Sequence, residues 1–267
     1  MGIIRKIILF SDDYGLPQLM RHIPHDVVSG IIGATIRSQQ HQTLRALALT
    51  QEVPFLIQPR KDSSEYQMFV EHVRLLAPDL IIVNSYSMLL PREILSIPVF
   101  GCINIHAALL PQYRGANPIQ WALLNDEKET GVTMHYMNED FDTGDIIAQK
   151  RVPILDEDTW INILHRISKS TDEMLEIEIP RIMSGTNSRT PQRTDLARHW
   201  RRRRPEDGRF DWTWRARDIY NLIRALVKPH PGAFYFNERG EKIIIDSFMS
   251  LNEIKKLQNA YIGHVIE

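Results

Sequence analysis

The first half of the chain alternates short β-branched runs with stretches of helical period. Lys6 to Phe10, Gly30 to Ile36, Pro54 to Ile57, Asp79 to Asn84 and Cys102 to Ile105 read as strands, several of them apolar at both odd and even positions. A run such as Leu80 to Val83 suits a strand covered on both faces. That predicts an α/β, Rossmann-like fold, a mostly parallel sheet with helices on both faces. Between the strands, Gln39 to Glu52 (Leu44, Leu47, Ala48) and Ser63 to Leu76 (Met68, Phe69, Val73, Leu76) carry apolar residues at helical spacing, the second closed by Pro78.

Two further strands, Thr130 to Met137 and Asp145 to Ile154, flank a polar turn, and a long amphipathic helix is predicted over Asp158 to Met183. Its expected buried stripe is Ile161, Leu164, Ile167, Leu175, Ile179 and Ile182. Residues Ser184 to Asp195 lack any large apolar side chain and read as a linker. The organisation expected is therefore a catalytic domain over residues 1–183, a linker over 184–197 and a small C-terminal helix and β-strand appendage over 198–267. The appendage should hold a helix from Thr213 to Val227, strands at Ala233 to Phe236 and Lys242 to Phe248 joined by a turn, and a last strand at Ile262 to Ile266. Its aromatics Phe234, Tyr235, Phe236 and Phe248 need cover, so a homodimer is expected, with docking within the chain as the alternative.

Charge narrows the function classes. The 32 basic residues nearly balance 33 acidic ones, which argues against an extended phosphate-binding surface and so against a nucleic-acid partner. A single cysteine, Cys102, allows no intramolecular disulfide and no thiolate zinc cluster, and fits a cytoplasmic protein. No apolar run approaches the ~20 residues of a membrane span. The ten histidines are scattered without a metal-binding spacing, so no metal is expected.

The chemistry concentrates between Cys102 and Gln149. Asn104 and His106 lie two apart at the end of an apolar strand, so both project from one face at the carboxyl edge where open α/β sheets hold ligands. A Pro- and Gly-rich segment, LLPQYRGANP, and the turn FDTGD follow, and the turn can return Asp142 to the same crevice. An amide, an imidazole and a carboxylate suit acyl transfer to an amine. His106 would take the proton of the attacking amine, Asn104 would donate to the oxyanion, and Asp142 would orient the imidazole. A strand-end histidine is also an ordinary hydrogen-bonded residue, and DTGD is also an ordinary turn.

The series NIH, LLPQYRGANPIQWALLN, ETGVT and DTGDI resembles the N10-formyltetrahydrofolate-dependent formyltransferase family. Upstream, SYSMLLP resembles that family's pterin-binding segment; downstream, DGRFDW and IRALVKPHPGAF resemble the region after the catalytic domain in methionyl-tRNA and nucleotide-sugar formyltransferases. The resemblance places the catalytic trio on Asn104, His106 and Asp142. It implies pterin contacts around Met88 and Leu90 and in the turn from Glu139 through Asp140 to Asp142. Core packing is the other reading of Met88, Leu89 and Leu90.

Among the branches, the chain is most similar to nucleotide-sugar N-formyltransferases. SDDYGLP after the first strand is not the glycine-rich phosphate loop of the glycinamide-ribonucleotide branch. IRSQQHQTLRAL is nearly neutral where the tRNA-directed branch is basic, and the tail is short. The substrate implied is a dTDP- or GDP-linked dideoxyaminohexose for lipopolysaccharide O-antigen assembly, with Arg202 and Arg203 pairing its diphosphate. The four-arginine run also reads as a solvated stretch. A methionyl-tRNA formyltransferase and a non-catalytic protein retaining the fold are the alternatives.

Overall fold

The structure, a computed structural model, describes residues 3–12 and 15–266. In chain order its elements are β1 (Ile7–Phe10), α1 (Gly15–Met20), β2 (Val28–Ala34), α2 (His41–Thr50), β3 (Phe55–Gln58), α3 (Tyr66–Leu75), β4 (Leu80–Asn84), α4 (Arg92–Leu95), β5 (Cys102–His106), β6 (Arg114–Gly115), α5 (Pro118–Leu124), β7 (Glu129–Tyr136), β8 (Ile146–Pro153), α6 (Trp160–Ser184), β9 (His199–Trp200), α7 (Ala216–Leu226), β10 (Ala233–Phe236), β11 (Lys242–Ile245) and α8 (Leu251–Ile266). Two compact units form: Met1–His106 with Val132–Lys150 and Ser170–Leu196, and Ala107–Gly131 with Arg151–Lys169 and Ala197–Glu267.

The sheet runs β3-β2-β1-β4-β5-β7-β8. The first five strands in this order pair in parallel, and β7 runs antiparallel to β5. Every residue of β1 and β4 is buried, which is why their sequences are apolar without alternation. Ile8, Phe10, Ile32, Ile81 and Val83 pack with Phe69, Val70 and Val73 of α3 and with Leu90 and Ile94 in one core. Strand order reverses between β1 and β4, the kind of switch point at whose carboxyl edge open α/β sheets hold ligands; the segments that follow are tied together there by Asp12 N–H donating to the Ser85 carbonyl at 3.1 Å. The fold is thus the expected α/β class.

The buried stripe of α6 is Ile163, Ile167, Met174, Leu175, Ile179 and Ile182. Ile161 and Leu164, expected inside, are only half-buried, and Ile163 and Met174 are buried in addition to the expected residues.

In the second unit α7 packs against α5 and α8 and is buried from Ile219 to Leu226. The buried Arg224 guanidinium donates to the carbonyls of Leu155, Asp156 and Asp158 and to Asn221 Oδ1. β10 and β11 form an antiparallel hairpin around Asn237 to Gly240. Phe234, expected exposed, is buried, and Tyr235 packs among Phe210, Trp212 and Tyr261; Phe236 and Phe248 remain exposed. The strand expected at Ile262 to Ile266 is instead the end of α8. Its β-branched residues suggested a strand, but Ser250 and Glu253 form a capping box: Ser250 N–H donates to Glu253 Oε2 and Glu253 N–H to Ser250 Oγ, which starts a helix. Among the described residues no helix is long and apolar enough to cross a membrane.

Candidate active site

Parallel pairing of β4 with β5 sets Val83 beside Asn104 and Asn84 beside Ile105, so both strands end at one edge. Antiparallel pairing with β7 then sets His135 opposite Asn104 and Thr133 opposite His106. Alternation along each strand puts these four side chains on one face. His106 is 8% and His135 1% exposed.

The turn after β7 brings Asp142 onto them. Its Oδ2 is 3.7 Å from His106 Nδ1, and its Oδ1 is 3.6 Å from His135 Nε2 and 3.5 Å from Asn104 Nδ2. The predicted trio therefore meets at one place, from positions far apart in sequence. His135 joins it as a fourth member that sequence reasoning missed. The only available signal was its position on a predicted strand; its meeting with Asn104 depends on the strand register.

Hydrogen bonding sets which nitrogen of His135 donates. Nδ1 lies 2.7 Å from the Tyr136 carbonyl, which can only accept, so Nδ1 carries the proton. That leaves Nε2 as the nitrogen that can accept, and Asn104 Nδ2, which can only donate, lies 3.2 Å from it. The second Asn104 amide hydrogen faces Asp142 through the longer 3.5 Å contact.

The turn itself is tightly built. Tyr136 N–H donates to the Asp145 carbonyl, and Asn138 Oδ1 accepts from Asp140 N–H and from the Thr143 hydroxyl. Asp142 adopts a left-handed φ of +54°. A Cβ on Gly144 would stand 1.9 Å from the Tyr136 carbonyl oxygen, so only glycine fits there.

The segment Ser85 to Leu90 leaves β4 at the same edge, and its ends are tied down. Asp12, buried just past β1, accepts from Ala34 N–H at 2.8 Å and from Ser87 N–H at 2.6 Å. Gln58, at the end of β3, accepts from the Tyr86 hydroxyl at 2.8 Å and donates to the Leu89 carbonyl at 3.0 Å. Burial, with the Asp12 carboxylate nearby, holds the Tyr86 hydroxyl well above its ordinary pKa. The Leu90 side chain belongs to the core, whereas Met88 is half-buried and Leu89 exposed. An ion pair of 3.2 Å links Arg92 to Glu139; Asp140 is exposed.

Arg202 and Arg203 lie in the second unit. Arg202 is exposed. Arg203 is partly buried, with its guanidinium 5.1 Å from the Trp121 ring centre and donating to the Asp207 carbonyl. Burial lowers its pKa. Among the described residues, no group of three or more His, Cys, Asp or Glu side chains is arranged to hold a metal ion.

A profile described as formyl transferase matches residues 24–178, and one described as formyl transferase, C-terminal domain, matches residues 203–267. The chain belongs to the formyltransferase family. Solved structures share the fold of this formyltransferase along nearly its whole length. A sugar N-formyltransferase from Shewanella sp FDAARGOS_354 is 22% identical with a TM-score of 0.74, covering 92% of this chain and 97% of that one. A 4-N formyltransferase from Francisella tularensis is 18% identical with a TM-score of 0.73, covering 93% and 99%. WlaRD, a sugar 3N-formyl transferase solved in the presence of dTDP and 5-N-formyl-THF, is 17% identical with a TM-score of 0.62, covering 92% and 96%.

Proposed function

We propose that this formyltransferase moves a formyl group from N10-formyltetrahydrofolate to the amine of a nucleotide-linked dideoxyaminohexose carried on dTDP or GDP. The observation that carries the reading is the meeting of Asn104, His106 and Asp142 on one face of the sheet edge. The acceptor class is supported by the sugar N-formyltransferase and the sugar 3N-formyl transferase that share the fold over nearly their full length.

The bound folate supplies an activated one-carbon unit. His106 takes the proton of the attacking amine and returns it to the departing folate nitrogen, as the C–N bond to the sugar forms and the bond to the folate breaks. Asp142 lies beyond hydrogen-bond length from His106 and serves to orient and charge-stabilise the imidazolium, with closer approach expected once substrates are bound. Asn104 spends one amide hydrogen on His135; the one in the long contact to Asp142 is free to turn to the oxygen of the formyl group as charge builds there. Backbone groups at Met88 and Leu90 and in the turn from Glu139 through Asp140 to Asp142 would hold the pterin, and Arg202 and Arg203 the diphosphate. The enzyme would work in the cytoplasm as a homodimer through the exposed Phe236 and Phe248, in O-antigen assembly.

Incubation with a panel of dTDP-, GDP- and UDP-linked amino sugars and formyl donor should give one product with the mass gain of a formyl group. His106→Asn should stay folded and lose turnover. Formylation of methionyl-tRNA but of no sugar would overturn the reading, as would normal turnover by His106→Asn.

A further inference from the structure

The stretch that reads as a linker grips the turn bearing Asp142. Gln192, 9% exposed, places Nε2 2.8 Å from the carbonyl oxygen of Asp142 and 2.7 Å from that of Gly144. Both partners only accept, so the amide orientation is fixed and both its hydrogens go to the turn. Three more residues of the same stretch, Asn187, Arg189 and Thr190, make further contacts with the turn. Thr190 and Ile146 exchange backbone hydrogen bonds of 2.8 and 2.9 Å. Arg189 pairs with Asp145 at 3.0 Å and lies over the Tyr136 ring, 4.2 Å from its centre. Asn187 donates to the Tyr136 hydroxyl at 3.0 Å.

Residues 187–192 thus hold both stems of the turn, Tyr136 on one side and Asp145 and Ile146 on the other, while Gln192 holds its inner carbonyls. Without that amide, two carbonyls in a nearly buried place would lack these donors, at a residue already in a left-handed conformation.

We propose that Gln192 is a positioning residue for the reaction, fixing the backbone of the turn so that the Asp142 carboxylate stays aimed at His106 and Asn104. This rests on the reading of Asp142 as the carboxylate of the active site. Gln192 touches no reacting atom; its amide sets where the Asp142 side chain starts, and small displacements at a reacting centre are costly.

Gln192→Leu keeps the volume and removes the donors, and Thr190→Pro removes the Thr190 N–H from the bridge to Ile146. Hydrogen–deuterium exchange on the substrate-free protein should show amides in residues 139–146 exchanging about 10-fold faster or more in Gln192→Leu, with β1 and β4 unchanged, and a similar, smaller change in Thr190→Pro. With an acceptor drawn from the amino-sugar panel, kcat of Gln192→Leu should fall about 10- to 100-fold while KM for both substrates stays within about twofold. Unchanged exchange in the turn overturns the brace whatever the reaction proves to be. Faster exchange with unchanged kcat overturns the positioning role. Normal turnover by Asp142→Asn would instead sink the reading of the active site and leave the exchange result standing.

Discussion

The side-chain nitrogen of Asn104 stands 3.2 Å from Nε2 of His135, directly across the pairing of β5 with β7. The ring of His135 is held in turn by the Tyr136 carbonyl, so it acts as a fixed acceptor that decides which way the Asn104 amide points. Replacing His135 by alanine should let that amide rotate. We expect kcat to fall by about 10-fold or more, short of the ~10²- to 10³-fold loss expected when Asn104→Ala removes the donor altogether. Steady-state kinetics of the two single variants and the double variant check this: losses that multiply independently would mean the residues do not act as a unit.

Asp12 should be intolerant even of its amide. Its two oxygens each accept a backbone N–H, from Ala34 and from Ser87, whereas asparagine offers one acceptor and one donor. In either orientation, one buried N–H would face another. Asp12→Asn should cost about 1–3 kcal/mol, read by urea denaturation, and should raise KM for the formyl donor more than KM for the sugar. Wild-type stability in this variant would show that the clamp contributes nothing.

The stability of the second unit should depend on pH through His230. Burial lowers its imidazole pKa, Arg203 lowers it further, and the ring accepts from Gln120 Nε2 at 2.9 Å. The unfolded chain therefore takes up this proton first as pH falls. The contribution of the neutral ring is fully present above the unfolded value of about 6.5 and is lost as pH falls through the lower folded value. Melting curves from pH 8 to pH 5 should show a fall in Tm with acidification that is flatter in His230→Gln; equal slopes would remove His230 as the source.

The single thiol should be silent in the native state. Burial pushes Cys102 up to about 12, so at pH 8 almost no thiolate exists and none is accessible. Ellman's reagent should detect no thiol in the native protein and one per chain after denaturation. Rapid native labelling would show that the start of β5 opens readily.

Sequence pattern went far for β1 to β5, most of all for β1 and β4, where burial of every residue favours a run without alternation. It also reached Asn104 and His106, since two residues on one strand share a face whatever the partners. Asp142 needed the further guess that a polar turn comes back to the strand. His135 and Gln192 lay beyond reach for different reasons. The first gains its role from a cross-strand register that no local pattern encodes, and the second is a polar side chain in a polar stretch, distinguished only by the two carbonyls it meets. At α8 local signals conflicted: β-branched residues argued for a strand, while the Ser250 and Glu253 cap decided for a helix.

The register joining β5 to β7 carries a consequence for how this enzyme can change. Substitutions along Val132 to Met134 alter packing one site at a time, yet one added or deleted codon there would send His135 to the opposite layer and bring a neighbour in its place beside Asn104. A length-scanning library through this stretch should therefore yield almost no active clones, even where every point variant of the same residues survives.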